Sequence, residues 1–250
     1  MFDLICTDLE FSYPQTPNFR LSIPELTCPL NSPLAIYGLA GSGKSTFGKI
    51  IGGLLTASKG ICKLKASGLT RLEDNSPPRV LYLPQFPEQI FLGMNIGNAL
   101  QIMLKWHNPA TDLKVRFTSN LKRFGLDYDR IRERYGCELS FGELRLTTIA
   151  LGLTFAPELT IFDEPTIALS RSARTKYSDT IEEFSLQKAV IIISHDYHLL
   201  RKLCRSVLIF EEGNIIFKGK WEELDRNLAI IRRVGLDLLE PLNQRNVGNE

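Results

Sequence analysis

Short, nearly continuous apolar runs recur along this chain: Pro33–Tyr37, Val80–Leu83, Leu159–Phe162, Ala189–Ile193 and Ser206–Phe210. Runs without polar alternation fit strands of a parallel sheet covered on both faces. Residues 3–11 and 19–23 instead alternate or cluster apolar positions around the breakers Pro14 and Pro17, which predicts a β-rich start. Helical spacing begins at Thr46–Ile51, dominates Ile96–Trp106 and Asp112–Phe124 with a break at Asn108–Pro109, and returns over Trp221–Arg233. The change of texture between Gln85 and Cys137 reads as a helical insert in an α/β chain, and the end from Pro241 to Glu250 is polar.

Between the first apolar run and the first helical stretch lies Gly38-Leu39-Ala40-Gly41-Ser42-Gly43-Lys44-Ser45-Thr46. Gly, four residues, Gly, Lys and Ser form the phosphate-binding loop pattern, here in the strand–loop–helix setting the pattern requires. Glycines let successive N–H groups converge on phosphate oxygens at a helix N-terminus, where the helix dipole also favours negative charge. Lys44 is then expected to reach the β- and γ-phosphates and the Ser45 hydroxyl to ligate Mg²⁺, both marks of a nucleoside triphosphate. Thr46 serves equally as an ordinary first-turn residue.

Two later runs end in polar residues. Leu159–Phe162 delivers Asp163 and Glu164, expected as the Mg²⁺-organising acid and as the general base that polarises a water towards the γ-phosphate. Ala189–Ile193 delivers Ser194 and His195 at the strand end where open α/β sheets place ligands, and His195 is a candidate γ-phosphate contact. His107 and His198 read as surface residues.

Composition narrows the class without naming a partner. With 250 residues, 44% hydrophobic, 23% charged and a formal net charge of +2, the chain is ordinary globular material with no basic excess, so no nucleic-acid partner is expected. Five scattered cysteines without a CxxC pair fit reduced cytoplasmic thiols. No run reaches the roughly 20 apolar residues of a membrane span.

Leu139-Ser140-Phe141-Gly142-Glu143, shortly before the Asp163 strand, resembles the LSGGQ signature of ABC-type ATPases, and the motifs follow that family's order. The resemblance spans nearly the whole chain to about residue 235. It implies a P-loop NTPase fold: a RecA-like mixed-sheet core (1–86 and 152–235), an N-terminal antiparallel β-subdomain, an inserted helical subdomain (87–151) and a polar tail (236–250). It further implies that Tyr13 stacks on the adenine of ATP, that Gln85 is the Q-loop glutamine facing Mg²⁺ and the attacking water, that Ile167–Ser170 is the D-loop, and that His195 is the switch histidine. Ser140, Phe141, Gly142 and Glu143 are then offered to the nucleotide of a second subunit. Gln85–Phe91 is similar to the segment of ATPases from energy-coupling factor and related cobalt and nickel importers, which makes Phe86, Ile90 and Phe91 candidate docking residues for a membrane subunit, with core packing an equal alternative.

Three positions depart from the family pattern. Phe141 replaces a signature glycine, where a positive φ is expected to cost about 1–2 kcal/mol. Ser170 stands where the D-loop carries Asp, and Leu146 where the helix carries Arg. All three are expected to weaken what this chain offers a partner, which favours a heterodimer with an intact sister ATPase over a homodimer. The resemblance implies an importer ATPase held peripherally at the cytoplasmic face of the membrane by integral subunits. A soluble ABC ATPase unconnected with transport and a low-turnover ATP-binding regulatory subunit stand as alternatives.

Overall fold

A computed structural model describes residues 2–66, 78–86, 91, 93–106, 112–167, 169–186 and 188–238. The β-rich start is a hairpin of β1 (Phe2–Tyr13) and β2 (Thr16–Pro29), joined on the far side of β1 by β4 (Lys59–Ala66) to give an antiparallel sheet in the order β2-β1-β4. The apolar runs form the second sheet. Its order is β5 (Val80–Leu83), β6 (Leu159–Asp163), β7 (Ala189–Ile193), β3 (Leu34–Gly38), β8 (Ser206–Glu211) and β9 (Asn214–Lys220), with the first five strands parallel and β9 antiparallel at the edge.

The continuous apolar character of these strands has a direct cause. Ala35, Tyr37, Phe162, Val190, Ile192, Val207 and Ile209 point into one core under the helices. Leu34, Ile36, Ile161, Ile191, Ile193, Leu208 and Phe210 point into another, shared with the antiparallel sheet and helix α1 (Lys44–Ile51). With both faces buried, both register positions are nearly all apolar, the buried Thr160 of β6 being an exception. β4 and β9 escape the pattern reading because each is an edge strand whose lysines alternate with smaller apolar residues, a common protection against edge pairing.

Between β5 and β6 the chain forms α2 (Ile96–Trp106), α3 (Leu113–Arg123), α4 (Tyr128–Ile131) and α5 (Phe141–Thr154), with α3 started by the Asp112 side chain accepting from the Val115 N–H. Helices α6 (Arg171–Ser185) and α7 (Tyr197–Leu203) follow β6 and β7. The helix expected over Trp221–Arg233 is two: α8 (Trp221–Asp225) ends, and Asn227 caps α9 (Leu228–Arg233) by accepting from the Ile230 N–H. The core also runs past residue 235, since Leu236 is buried and opens a 3₁₀ turn to Leu238; the rest of the expected polar tail lies outside the described residues. The Asn108–Pro109 break and His107 lie outside them as well.

Candidate active site

Adjacent parallel strands β5, β6, β7 and β3 end on one edge of the sheet, and each delivers a segment singled out in the sequence: Gln85, Asp163–Glu164, Ser194–His195 and the Gly38–Thr46 loop. This is the edge at which open α/β sheets hold ligands.

The loop geometry explains its glycines. A Cβ at Gly38 would lie 2.3 Å from the Phe210 carbonyl oxygen, so β8 leaves no room for a side chain. Gly43, at φ 101°, sits at the N-cap of α1 and gives it no side-chain acceptor, leaving the first N–H groups for a ligand. The Lys44 ammonium is buried and folds back to donate to the carbonyls of Gly38 and Leu39 at 2.8 Å each. Burial lowers its pKa, and the nearby Glu164 and Asp163 carboxylates partly offset this. Tyr13 is half-buried beside the loop, its hydroxyl 3.1 Å from Thr46 Oγ1 and its ring 5.9 Å from that of Phe19.

Asp163 ends β6 almost wholly buried. Its Oδ1 accepts from the Ser45 hydroxyl at 3.0 Å and its Oδ2 from the Tyr82 hydroxyl. Burial raises its pKa against the lowering effect of those two donors, and the Tyr82 phenol is pushed well up by burial and by the Asp163 charge. A cavity of about 320 Å³ lies against Ser45, Lys49, Tyr82, Gln85 and Asp163. Oxygen donors from Ser, Asp and Gln suit Mg²⁺, which takes few protein ligands and completes its shell with water and phosphate. The donor set therefore fits the ion.

Glu164 is held by three donors. Ser194 Oγ donates to its Oε2 at 2.9 Å, the His195 N–H to its Oε1 at 3.0 Å, and His195 Nδ1 lies 2.8 Å from Oε1. Its backbone sits at φ 48°, a left-handed conformation that costs a non-glycine residue about 1–3 kcal/mol and that turns the carboxylate back over the end of β7. His195 therefore meets Glu164 through both backbone and ring, and its side chain is 67% exposed. Gln85 is fixed through its backbone.

That fixing comes from Arg145, which the sequence reading passed over. One guanidinium nitrogen donates to the Glu164 carbonyl and another to the Gln85 carbonyl, so a single buried side chain on α5 ties the loops after β5 and β6 together. The signal was present: Arg145 is the one charge between Leu144 and Thr154 in an otherwise apolar and threonine-rich helix. Leu146 is buried in the chain's own core.

The signature segment differs from expectation. Phe141 is the first residue of α5 with no positive φ, so the expected backbone strain is absent. Ser140 caps that helix: its Oγ accepts from the Glu143 N–H at 3.2 Å while Glu143 Oε2 accepts from the Ser140 N–H at 2.9 Å, a capping box. Gly142 follows in the first turn, and the Phe141 ring, 36% exposed, rests 5.2 Å from the Arg145 guanidinium. Ser170, in place of an Asp, caps α6 by accepting from the Ala173 N–H. Phe91 is a core residue, which decides packing for that position, while Phe86 is exposed; Ile90 and Ala168 lie outside the described residues.

Comparison with known proteins agrees with the order of these motifs. The profile described as ABC transporter matches residues 21–167. The lipoprotein-releasing system ATP-binding protein LolD of Pseudomonas fluorescens is 31% identical over 85% of this chain and 96% of its own length. The energy-coupling factor transporter ATP-binding protein EcfA2 of Thermotoga maritima is 29% identical over 81% and 74%, and the nickel import ATP-binding protein NikO of Rhodobacter capsulatus 29% over 91% and 93%. Among solved structures, an ATP-binding subunit of an ABC transporter superposes with a TM-score of 0.77 at 20% identity over 95% of this chain and all of that one. CbiO1 of Clostridium perfringens superposes at 0.69 and 23% identity, over 98% of each chain. Sheet order, loop geometry and a profile covering more than half of the residues agree: the chain belongs to the ABC transporter family, as an ATP-binding subunit with ATPase activity.

Proposed function

We propose that this chain is the ATP-hydrolysing subunit of an importer of the energy-coupling factor type, taking up a vitamin or a transition-metal ion. It works at the cytoplasmic face of the membrane with integral subunits and a second, different ATPase. The recurrence of energy-coupling factor and nickel-import names among its relatives supports the import class. The observation that carries the catalytic part is the clamp on Glu164 beside Lys44, Ser45 and Asp163.

In this reading Tyr13 stacks on adenine and the N–H groups of the Gly38–Thr46 loop take the phosphates. Lys44 exchanges its contacts with the Gly38 and Leu39 carbonyls for β- and γ-phosphate oxygens, which neutralise the charge that burial opposes. Ser45, Asp163 and Gln85 hold Mg²⁺, which when bound offsets the charge developing on the phosphates. Three donors on a carboxylate with about four acceptor sites leave one lone pair of Glu164, on Oε2, to take a proton from the attacking water, and departure of a donor opens a second. The His195 ring is the donor able to leave, because it is largely in solvent whereas Ser194 is fully buried; moving towards the γ-phosphate, it frees one lone pair of Oε1, which keeps the His195 N–H. Dimer closure brings the partner's signature to this loop. On this chain's own signature a half-exposed phenyl ring, packed on the Arg145 guanidinium, replaces a glycine beside Ser140, so the opposite site is the weaker one and the partner is a sister subunit.

Phosphate release from Mg²⁺-ATP, measured for the purified chain alone and with the ATPase that copurifies with it from membranes, tests this. Activity only with a distinct partner, abolished by Glu164→Gln with ATP still bound, is the expected result. Full activity of the chain alone would overturn the heterodimer, and unchanged turnover in Glu164→Gln would overturn the catalytic assignment.

A further inference from the structure

The Tyr82 side chain reaches Asp163 by an unusual route. Tyr82 belongs to β5, the outermost parallel strand, and its ring edge faces Gly48 of α1 while its Cβ faces Gly52, the C-cap of that helix. A Cβ at Gly48 would stand 3.2 Å from Tyr82 Cε2 and 2.5 Å from Ile193 Cδ1, and a Cβ at Gly52 would stand 3.2 Å from Tyr82 Cβ. Glycine weakens a helix interior relative to alanine; what Gly48 provides here is space for Ile193 and for the Tyr82 ring edge beside it. At the end of that path the hydroxyl donates to Asp163 Oδ2, while Ser45 Oγ donates to Oδ1 from the other side.

We infer that Tyr82 is a positioning residue for Asp163, its hydroxyl fixing the carboxylate plane so that Asp163 and Ser45 meet the divalent cation of bound nucleotide in one arrangement. The argument rests on the Mg²⁺-ATP reading above. An aspartate has one soft terminal torsion. With Ser45 alone on Oδ1 the carboxylate still rotates about that contact; a second donor on Oδ2 removes the rotation. Ser45 keeps its bond when it ligates, since a hydroxyl gives a lone pair to a metal and its hydrogen to the carboxylate. The phenol occupies one lone pair of Oδ2 and leaves the other for a ligand in the cavity that Asp163 lines with Gln85. Partners that orient metal-ligating carboxylates typically alter metal affinity by 10–100-fold when removed.

The test uses the full chain and Tyr82→Phe, which keeps the ring that packs beside Gly48. Mn²⁺ is titrated into the protein–ATP complex and free Mn²⁺ is read by electron paramagnetic resonance; ATP affinity in EDTA is measured in parallel. The expected result is Mn²⁺ affinity weakened on the order of 10-fold, with metal-free ATP affinity unchanged within about twofold. Equal Mn²⁺ affinity in both proteins would reduce Tyr82 to packing, and tighter binding in the variant would make it a competitor of the metal; either overturns the inference. If the wild-type complex held Mn²⁺ no better than free ATP does, the Mg²⁺-ATP reading itself would fail, and the inference with it.

Discussion

Ser194→Ala isolates the clamp on Glu164 from the rest of the site. The hydroxyl is fully buried, donates to Glu164 Oε2 at 2.9 Å and accepts from the Asp196 N–H at 3.0 Å. A hydrogen bond to a charged group contributes about 1.5–3 kcal/mol net, and a neutral one about 1 kcal/mol. Truncation leaves Glu164 with its two His195 contacts, both on Oε1, so Oε2 loses the donor that orients the carboxylate. If the lost charged bond appears in the transition state, kcat falls about 10- to 100-fold at about 1.4 kcal/mol per decade. KM for ATP moves less than about threefold, because the Ser194 hydroxyl bonds Glu164 and the Asp196 N–H rather than Lys44 or the loop glycines. Steady-state phosphate release gives both constants, and thermal unfolding separates the accompanying loss of stability. Unchanged kcat with a lowered Tm would make Ser194 purely structural, and a raised KM at constant kcat would place it in nucleotide binding; both refute the clamp.

Three further outcomes follow from the geometry. Arg145→Gln removes both carbonyl contacts and lowers stability by about 2–3 kcal/mol, whereas Leu146→Arg, which restores the family's residue, also destabilises because it buries an unpaired charge; denaturant titration of both variants checks this, and a stabilised Leu146→Arg would contradict it. Gly43→Ala strains a residue held at φ 101° and brings a Cβ within 3.2 Å of Phe19, costing about 1–2 kcal/mol, with weaker ATP binding by calorimetry. Burial pushes the Cys28 thiol up to about 11 from an ordinary 9.0. Because the folded state then binds the extra proton, stability is complete below pH 9 and is lost as pH rises towards 11, by about 2–3 kcal/mol from this group; Cys28→Val should flatten that part of an alkaline unfolding series.

The strand runs of the second sheet and the motifs at their ends were legible because a strand buried on both faces is nearly all apolar, Thr160 excepted, so the polar residues that close a run mark the edge of the sheet. Asp163 after Phe162 and Ser194 after Ile193 are such marks. β4 and β9 were not legible, since an edge strand with alternating lysines has no fixed apolar period, and the gap at Asn227 lies within a pattern that reads as one helix.

By itself the sequence determined which chemistry the chain carries: a loop for phosphates, two acids at one strand end and a histidine at another, all set by local residue types and spacing. Tertiary structure alone decided how those parts meet. Strand order brings Gln85, Asp163, Glu164 and Ser194 side by side across more than a hundred residues of chain, and only then do Tyr82 and Arg145 acquire partners. The physical reason is that a hydrogen bond between distant positions leaves no periodic trace; it is written in space made elsewhere, here by Gly48 and Gly52 on a helix that Tyr82 meets only after folding.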